Sequence, residues 1–248
     1  MHATPEKVAL ITGASRGIGR AVAERLAHDG YAVVVNYAKS ADQAQSLVQR
    51  LTQQGGRALA VPGDVSRQAD VTTLFEWAVA EFGRLDVLVN NAGIFPAGLP
   101  LEHITDEHYD ALFRTNVRGL IYASQAASRY FDERGGHIIN LSSVLGKQAA
   151  PYTAVYAATK AAVDSLTKSF AAELGPRRIR VNAVAPSLTE TDMIAGVPAA
   201  FREQIAQTTA LGRLGTAADI AGVVALLASP AGYWINGQTL YADGGLRG

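Results

Sequence analysis

Short runs rich in Val, Ile and Leu recur along the whole chain, and segments with helical spacing separate them. This alternation constrains the fold more than any other feature. The runs are KVALIT (7–12), YAVVVN (31–36), RALAVPGD (57–64), LDVLVNNAG (85–93), HIINLSS (137–143) and IRVNAVAP (179–186), with a last short strand inside GQTLYADGG (237–245). Most are continuously apolar and do not alternate with polar residues, as expected of strands buried on both faces. Between them, helices are expected over 18–30, 40–56, 66–83, 106–133, 152–174 and 216–229. Ile18, Val22 and Leu26 carry the spacing of the first, Gly30 is its stop, and Ser66 is a plausible cap for the third. Residues 187–213 read as irregular. Strand–helix alternation predicts an α/β fold: a single doubly wound parallel sheet of about seven strands, with right-handed crossovers and helices on both faces. No Pro/Ser-rich linker, repeat or low-complexity tract divides the chain, so residues 1–248 are expected to form one domain.

Composition narrows the function classes. With 22 basic and 22 acidic residues the formal net charge is zero, and nothing points to a nucleic acid or membrane-surface partner. The absence of cysteine rules out disulfides and thiolate metal ligands, and no metal is expected. The first residues lack a basic region followed by a long apolar stretch, and IAGVVALLA is far short of the ~20 residues of a membrane span. The expectation is a soluble, cytoplasmic protein.

In doubly wound sheets, ligands bind outside the carboxyl ends of the strands. After the first strand comes TGASRGIGR (12–20), with Gly13, Gly17 and Gly19 opening the first helix. Such a turn lets backbone approach a pyrophosphate, and a helix N-terminus offers free N–H groups. The alternative is glycines that merely permit a tight turn. After the second strand, NYAKS places Asn36, Lys39 and Ser40 where a carboxylate would mark NAD, with Arg16 close by in the glycine-rich turn. Two cations and no carboxylate suit a 2′-phosphate, with Asn36 and Ser40 as neutral donors; the alternative is solvated surface charge. Asp64, after the third strand, could recognise an adenine amino group. Asn90 to Gly93, after the fourth, lie beside the expected cofactor channel, although Asn90 and Asn91 could equally be turn residues.

The stretch VYAATKAAV (155–163) carries Tyr156 and Lys160 on one helix face, and Ser143 ends the fifth strand 13 positions before Tyr156. Serine and tyrosine so placed can converge on one substrate oxygen. Hydride transfer to a carbonyl requires a proton for the developing alkoxide. A phenol titrates near ~10, so ionisation near neutrality needs about 4 kcal/mol of electrostatic help, for which Lys160 is a suitable source. Ser143 could polarise the carbonyl.

The pieces TGASRGIG (12–19), NNAG (90–93), TNV (115–117), Ser143, YAATK (156–160) and DGG (243–245), in this order, resemble the short-chain dehydrogenase/reductase family over nearly the whole chain. The resemblance implies a Rossmann-like fold and a catalytic set of Asn116, Ser143, Tyr156 and Lys160. Tyr156 would be the general acid/base, and Lys160 would lower its pKa and hold the ribose hydroxyls. Ser143 would orient the substrate, and Asn116 would position a water linking Lys160 to solvent. The implied cofactor residues are Gly13, Ser15, Arg16, Gly17, Ile18, Gly19, Asn36, Tyr37, Lys39, Ser40, Asp64, Val65, Asn91, Ala92 and Gly93. To these it adds Tyr156, Lys160, Pro186, Ser187, Thr189 and Thr191, with NADPH as cofactor. Two departures stand out. Ser187 follows Pro186 where the family usually has glycine, and Thr189 sits where an apolar residue is frequent.

A substrate pocket is expected from Ile94, Phe95, Leu145, Lys147, Gln148, Tyr152 and the segment 187–213, which would act as a lid. Within the family the chain looks most like 3-oxoacyl-acyl-carrier-protein reductases and related carbonyl reductases. Its expected partner is a small carbonyl compound or an acyl-carrier-protein thioester. Arg134, Arg177 and Arg178 lie near helix ends where relatives dock the acidic carrier, although cations favour helix C-termini in any case. The alternatives are a dehydrogenase acting on a sugar or secondary alcohol and a nucleotide-binding protein without turnover. A homotetramer is expected, paired through the alanine-rich helices and through a C-terminal segment bearing Tyr233, Trp234 and Tyr241.

Overall fold

The computed structural model describes residues 7–96 and 98–246. Seven parallel strands form one sheet: β1 (Val8–Ile11), β2 (Ala32–Tyr37), β3 (Ala58–Pro62), β4 (Val87–Asn90), β5 (Gly136–Leu141), β6 (Ile179–Pro186) and β9 (Thr239–Ala242). Their order is β3-β2-β1-β4-β5-β6-β9, so the winding reverses between β1 and β4. That reversal opens a crevice at the carboxyl edge of the sheet. A second sheet pairs two short strands, β7 (Thr189–Glu190) and β8 (Gly215–Thr216).

The continuous apolar runs feed two cores, because alternate residues of one strand point to opposite faces. Ala9, Ile11, Val33, Val35 and Val89 pack under α1 (Gly17–His28), α2 (Ala41–Gln53) and α8 (Ala217–Ala228). Val8, Leu10, Val34, Leu88 and Ile138 pack under α3 (Gln68–Phe82), α5 (Gly119–Tyr130) and α6 (Ala154–Leu174). None of the described helices is long and apolar enough to cross a membrane.

Four local expectations change. The helix read over 106–133 is two helices, α4 (Asp106–Phe113) and α5, joined by a π-helical turn at Arg114–Arg118. The helix read from 152 begins at Ala154, because Tyr152 has a left-handed backbone (φ 67°). Ser66 does not cap the third helix. That helix starts at Gln68 after Arg67, and the Ser66 N–H instead donates to Asp64 Oδ1 at 2.9 Å. The segment 187–213 is not wholly irregular: Pro198 precedes α7 (Ala199–Thr208), and β7 lies at its start. Proline is compatible with a helix entry, so its presence in this segment was a start signal and not a break.

Candidate active site

The glycine-rich turn between β1 and α1 is held from both neighbouring strands. The Thr12 hydroxyl accepts from the N–H groups of Asn91 and Ala92, both at 3.0 Å. The Asn91 amide donates to the carbonyls of Thr12 (2.8 Å) and Gly13 (3.0 Å). Gly13 and Gly17 adopt left-handed angles (φ 62° and 57°), which a side chain would resist. Gly19 leaves no room for a Cβ, which would run into the Asn91 amide and the Gly13 carbonyl. Arg16 occupies the cap position of α1 without a side-chain cap, so the first-turn N–H groups remain open toward the crevice. A bare helix start behind left-handed glycines fits a pyrophosphate.

Asn36 does not have the predicted role. It is buried on β2; its Oδ1 accepts from Gly13 N at 3.2 Å, and its Nδ2 donates to the carbonyls of Val61 (3.3 Å) and Gly63 (3.0 Å). No donor is left for a phosphate, because the side chain is spent on tying β1 to β3. Lys39 is exposed beyond the strand end, with Tyr37 and Ser40 partly buried beside it. Arg16 lies 3.7 Å from the Asp192 carboxylate, and both are well exposed. Asp64 makes a tight turn in which its N–H donates to Asp70 Oδ2 and its Oδ1 accepts from Ser66, with Val65 buried next to it.

Tyr156, Lys160, Ser143 and Asn116 gather where β4, β5 and α6 meet. The Lys160 ammonium donates to the Leu141 carbonyl at 2.7 Å and lies 5.6 Å from the Tyr156 ring centroid. Ser143 lies close enough to Tyr156 to favour its ionised form, and its Oγ accepts from Leu145 N at 3.2 Å. Asn116 spends its side chain on the Ile94 backbone, accepting from its N–H (2.8 Å) and donating to its carbonyl (3.0 Å), and makes a 3.3 Å bond to Thr159. This clasp coincides with the π turn, a distortion frequent at functional sites. Gly93 fits between the two: a Cβ there would stand 3.3 Å from Asn116 Oδ1 and 3.8 Å from Lys160 Nζ.

The electrostatics differ from the expectation. Burial pushes the Tyr156 phenol up to about 12, opposed by the nearby Ser143. Lys160 is not among the groups that lower it, because an amine brought down to about 8 is already neutral where the phenol titrates. Lys160 is itself brought down to about 8 by burial, opposed by the charge of Asp164. Desolvation favours the neutral form of both groups.

The substitution at Ser187 is accommodated, because its backbone is not left-handed and glycine is not required there. Thr189 is buried, its hydroxyl donating to the Ser187 carbonyl at 2.9 Å. Thr191 stands against Gly17, 3.6 Å from where a Cβ would lie, so the chain leaving Pro186 returns over the glycine-rich turn. Phe95 packs on Tyr156 with ring centroids 4.6 Å apart. Lys147 is drawn to the Tyr241 ring, 5.2 Å from its centroid. Sequence reasoning missed Thr12 and Thr159 as supports. Thr12 lies within the quoted TGASRGIG, but its role depends on an approach of β4 that no local pattern records.

A family model described as enoyl-(acyl carrier protein) reductase matches residues 13–247. An uncharacterized oxidoreductase of Methylorubrum extorquens is 49% identical over 245 residues, covering 97% of this chain and 98% of that protein. A 3-oxoacyl-acyl-carrier-protein reductase of Staphylococcus aureus is 43% identical over 241 residues, with 97% and 98% covered. Among solved structures, a short-chain dehydrogenase of Burkholderia cenocepacia in complex with NADP superposes with a TM-score of 0.92 at 42% identity, covering 98% and 99%. A short-chain dehydrogenase/reductase of Serratia marcescens gives 0.92 at 41%, with 98% and 99% covered. With the parallel sheet and the site at its carboxyl edge, these matches show that the chain belongs to the short-chain dehydrogenase/reductase family of oxidoreductases.

Proposed function

We propose that this protein is an NADPH-dependent reductase of a small carbonyl compound. The reading rests chiefly on one observation: Ser143, Tyr156, Lys160 and Asn116 gather at the carboxyl edge of the sheet, with the Lys160 ammonium 5.6 Å from the Tyr156 ring centroid and held by the Leu141 carbonyl. A protonated phenol is an acid ready to meet an alkoxide, which reduction generates.

When bound, the cofactor supplies the hydride. The first-turn N–H groups of α1 would hold its pyrophosphate, Arg16 and Lys39 its 2′-phosphate, and Thr191 its carboxamide end. Ser143 orients the substrate carbonyl and Tyr156 delivers the proton to its oxygen. Lys160 lies behind Tyr156 to hold the ribose and pass on a replacement proton. The Asn116 side chain is engaged with Ile94, so the widened backbone of the π turn is the part left to hold a water beside Lys160. The segment 187–213, anchored at Gly17 through Thr191, would cover the bound substrate.

A free carbonyl compound is favoured over a carrier-bound thioester, although a close relative is named for the latter. Arg134 is ion-paired with Asp132, Glu133 adjoins it, and Arg177 donates to the Ser128 carbonyl. The surface that would meet an acidic carrier is therefore partly neutralised. The test is NADPH consumption across a carbonyl panel, with acetoacetyl offered both as a free ester and on the carrier. Tyr156→Phe should lower turnover by ~10²–10⁴-fold and leave NADPH affinity nearly unchanged. A Phe variant with near wild-type kcat would remove Tyr156 from this role.

A further inference from the structure

Tyr152 has a backbone that a residue with a Cβ rarely adopts. Its φ of 67° puts it in the left-handed region, with Arg178 the only other non-glycine there among the described residues. Such strain persists only where neighbours over-determine it, and it clusters at functional sites. Here the neighbours are identifiable. Leu99 N–H donates to the Tyr152 carbonyl at 3.0 Å. Gly98 packs so closely that a Cβ on it would lie 2.8 Å from that oxygen. On the other side, the Thr153 hydroxyl donates to the Ala150 carbonyl at 2.7 Å and accepts from Ala150 N–H at 3.2 Å.

Burial of the side chain does not offset this strain. Tyr152 is 63% exposed, and its hydroxyl has no hydrogen-bond partner among the described residues. Packing therefore does not explain why tyrosine stands where glycine would be unstrained. Position does. The two segments clasped by Tyr152 and Leu99 both run from the proton donor. One leads from Ser143 to Tyr156 and carries Tyr152 four residues before the phenol. The other leaves β4 past Gly93, beside Lys160, and past Phe95, whose ring lies on Tyr156. The clasp thus joins the segment that carries Phe95 to the segment that carries Tyr152.

We infer that Tyr152 is a specificity residue whose strained backbone presents its ring at the mouth of the site, selecting carbonyl compounds that carry a planar apolar group. The inference rests on the reductase reading above. An aryl ketone gains an aromatic neighbour there, and a small aliphatic ketone does not.

The test compares kcat/KM for acetophenone and acetone with saturating NADPH, in wild type, Tyr152→Gly and Tyr152→Phe, together with Tm. Tyr152→Gly should lower the acetophenone-to-acetone ratio about 10-fold through the KM for acetophenone. The same variant should melt ~2–4 °C higher, because glycine relieves the left-handed backbone. Tyr152→Phe should keep the wild-type ratio. An unchanged ratio in Tyr152→Gly, a lower Tm, or an equal loss in Tyr152→Phe would overturn the inference. If wild type reduces neither ketone, the carbonyl panel decides on the reductase reading and binding decides on Tyr152. Acetophenone should then raise the Tm of wild type and not of Tyr152→Gly, and equal shifts would overturn the role.

Discussion

Asn36→Asp separates two accounts of the end of β2. If Asn36 faced the cofactor, the new carboxylate would sit at the surface, cost little and turn preference toward NADH. The structure places the side chain inward, 1% exposed, with its two amide donors on the Val61 and Gly63 carbonyls. The substitution keeps the acceptor for Gly13 N–H and removes both donors. Losing one bond to the buried Val61 carbonyl and one to the part-buried Gly63 carbonyl costs ~1–3 kcal/mol each, so the total loss is about 2–6 kcal/mol. For a chain of this size that lowers Tm by on the order of 10 °C. The cost should depend on pH. A carboxyl facing two carbonyls has its folded pKa raised above the unfolded ~3.9, so the folded state holds the extra proton between those two values. Stability relative to wild type therefore falls as pH rises through that window and stays low above it. Melting of both proteins from pH 5 to 8, with kcat/KM for NADPH and NADH, is the assay. A Tm within 1 °C of wild type at pH 8, with the cofactor ratio reversed, would refute the inward account.

Cofactor choice is expected to follow the exposed cations, so Arg16→Ala and Lys39→Ala should each raise the NADPH KM about 10-fold and leave the NADH KM nearly unchanged; equal effects on both cofactors would count against it. His137 is fully buried, accepts from Asn182 Nδ2 across 3.1 Å and has its pKa held well below the usual imidazole value, chiefly by burial. Its unfolded form takes up protons first, so stability should be steady above pH ~6.5 and decline below it by up to about 1.4 kcal/mol per pH unit; a His137→Gln variant with the same acid slope would exclude His137 as the cause. Trp234 is fully exposed and Tyr233 57% exposed in the single chain, so light scattering should give a homotetramer at micromolar concentration; a monomer would contradict this.

The sheet was legible because strands buried on both faces leave continuous apolar runs, and all seven overlap the segments read as strands, β2 and β5 overrunning them by one residue each. The grouping of Ser143, Tyr156 and Lys160 was legible because two of them share a helix face and the third lies two residues past the end of the preceding strand. What escaped depends on pairs distant in sequence. Asn36 reads as a surface donor in NYAKS, and only the approach of Gly63, 27 positions away, turns its amide inward. The break in the helix read over 106–133 has only Gly119 at its end to signal it, and the clasp between Asn116 and Ile94 spans 22 positions. Tyr152 offers no local hint of a left-handed backbone, which Leu99 and Gly98 impose.

The same long-range ties account for the chemistry at the carboxyl edge. Thr12, Asn36 and Asn91 spend every side-chain donor they have on the glycine-rich turn or its neighbouring strands, so the open N–H groups in front of it belong to the helix start. Asn116 likewise turns its amide to Ile94, and this leaves Lys160 and Tyr156 with few neighbours that could hold their charges. Burial then dominates, raising the phenol and lowering the ammonium toward their neutral forms. On the reductase reading proposed above, such a phenol would hold its proton until an alkoxide forms at a substrate carbonyl. The polar residues that look most like ligands in the sequence are thus largely scaffold. The acid they surround is set by what they withhold from it.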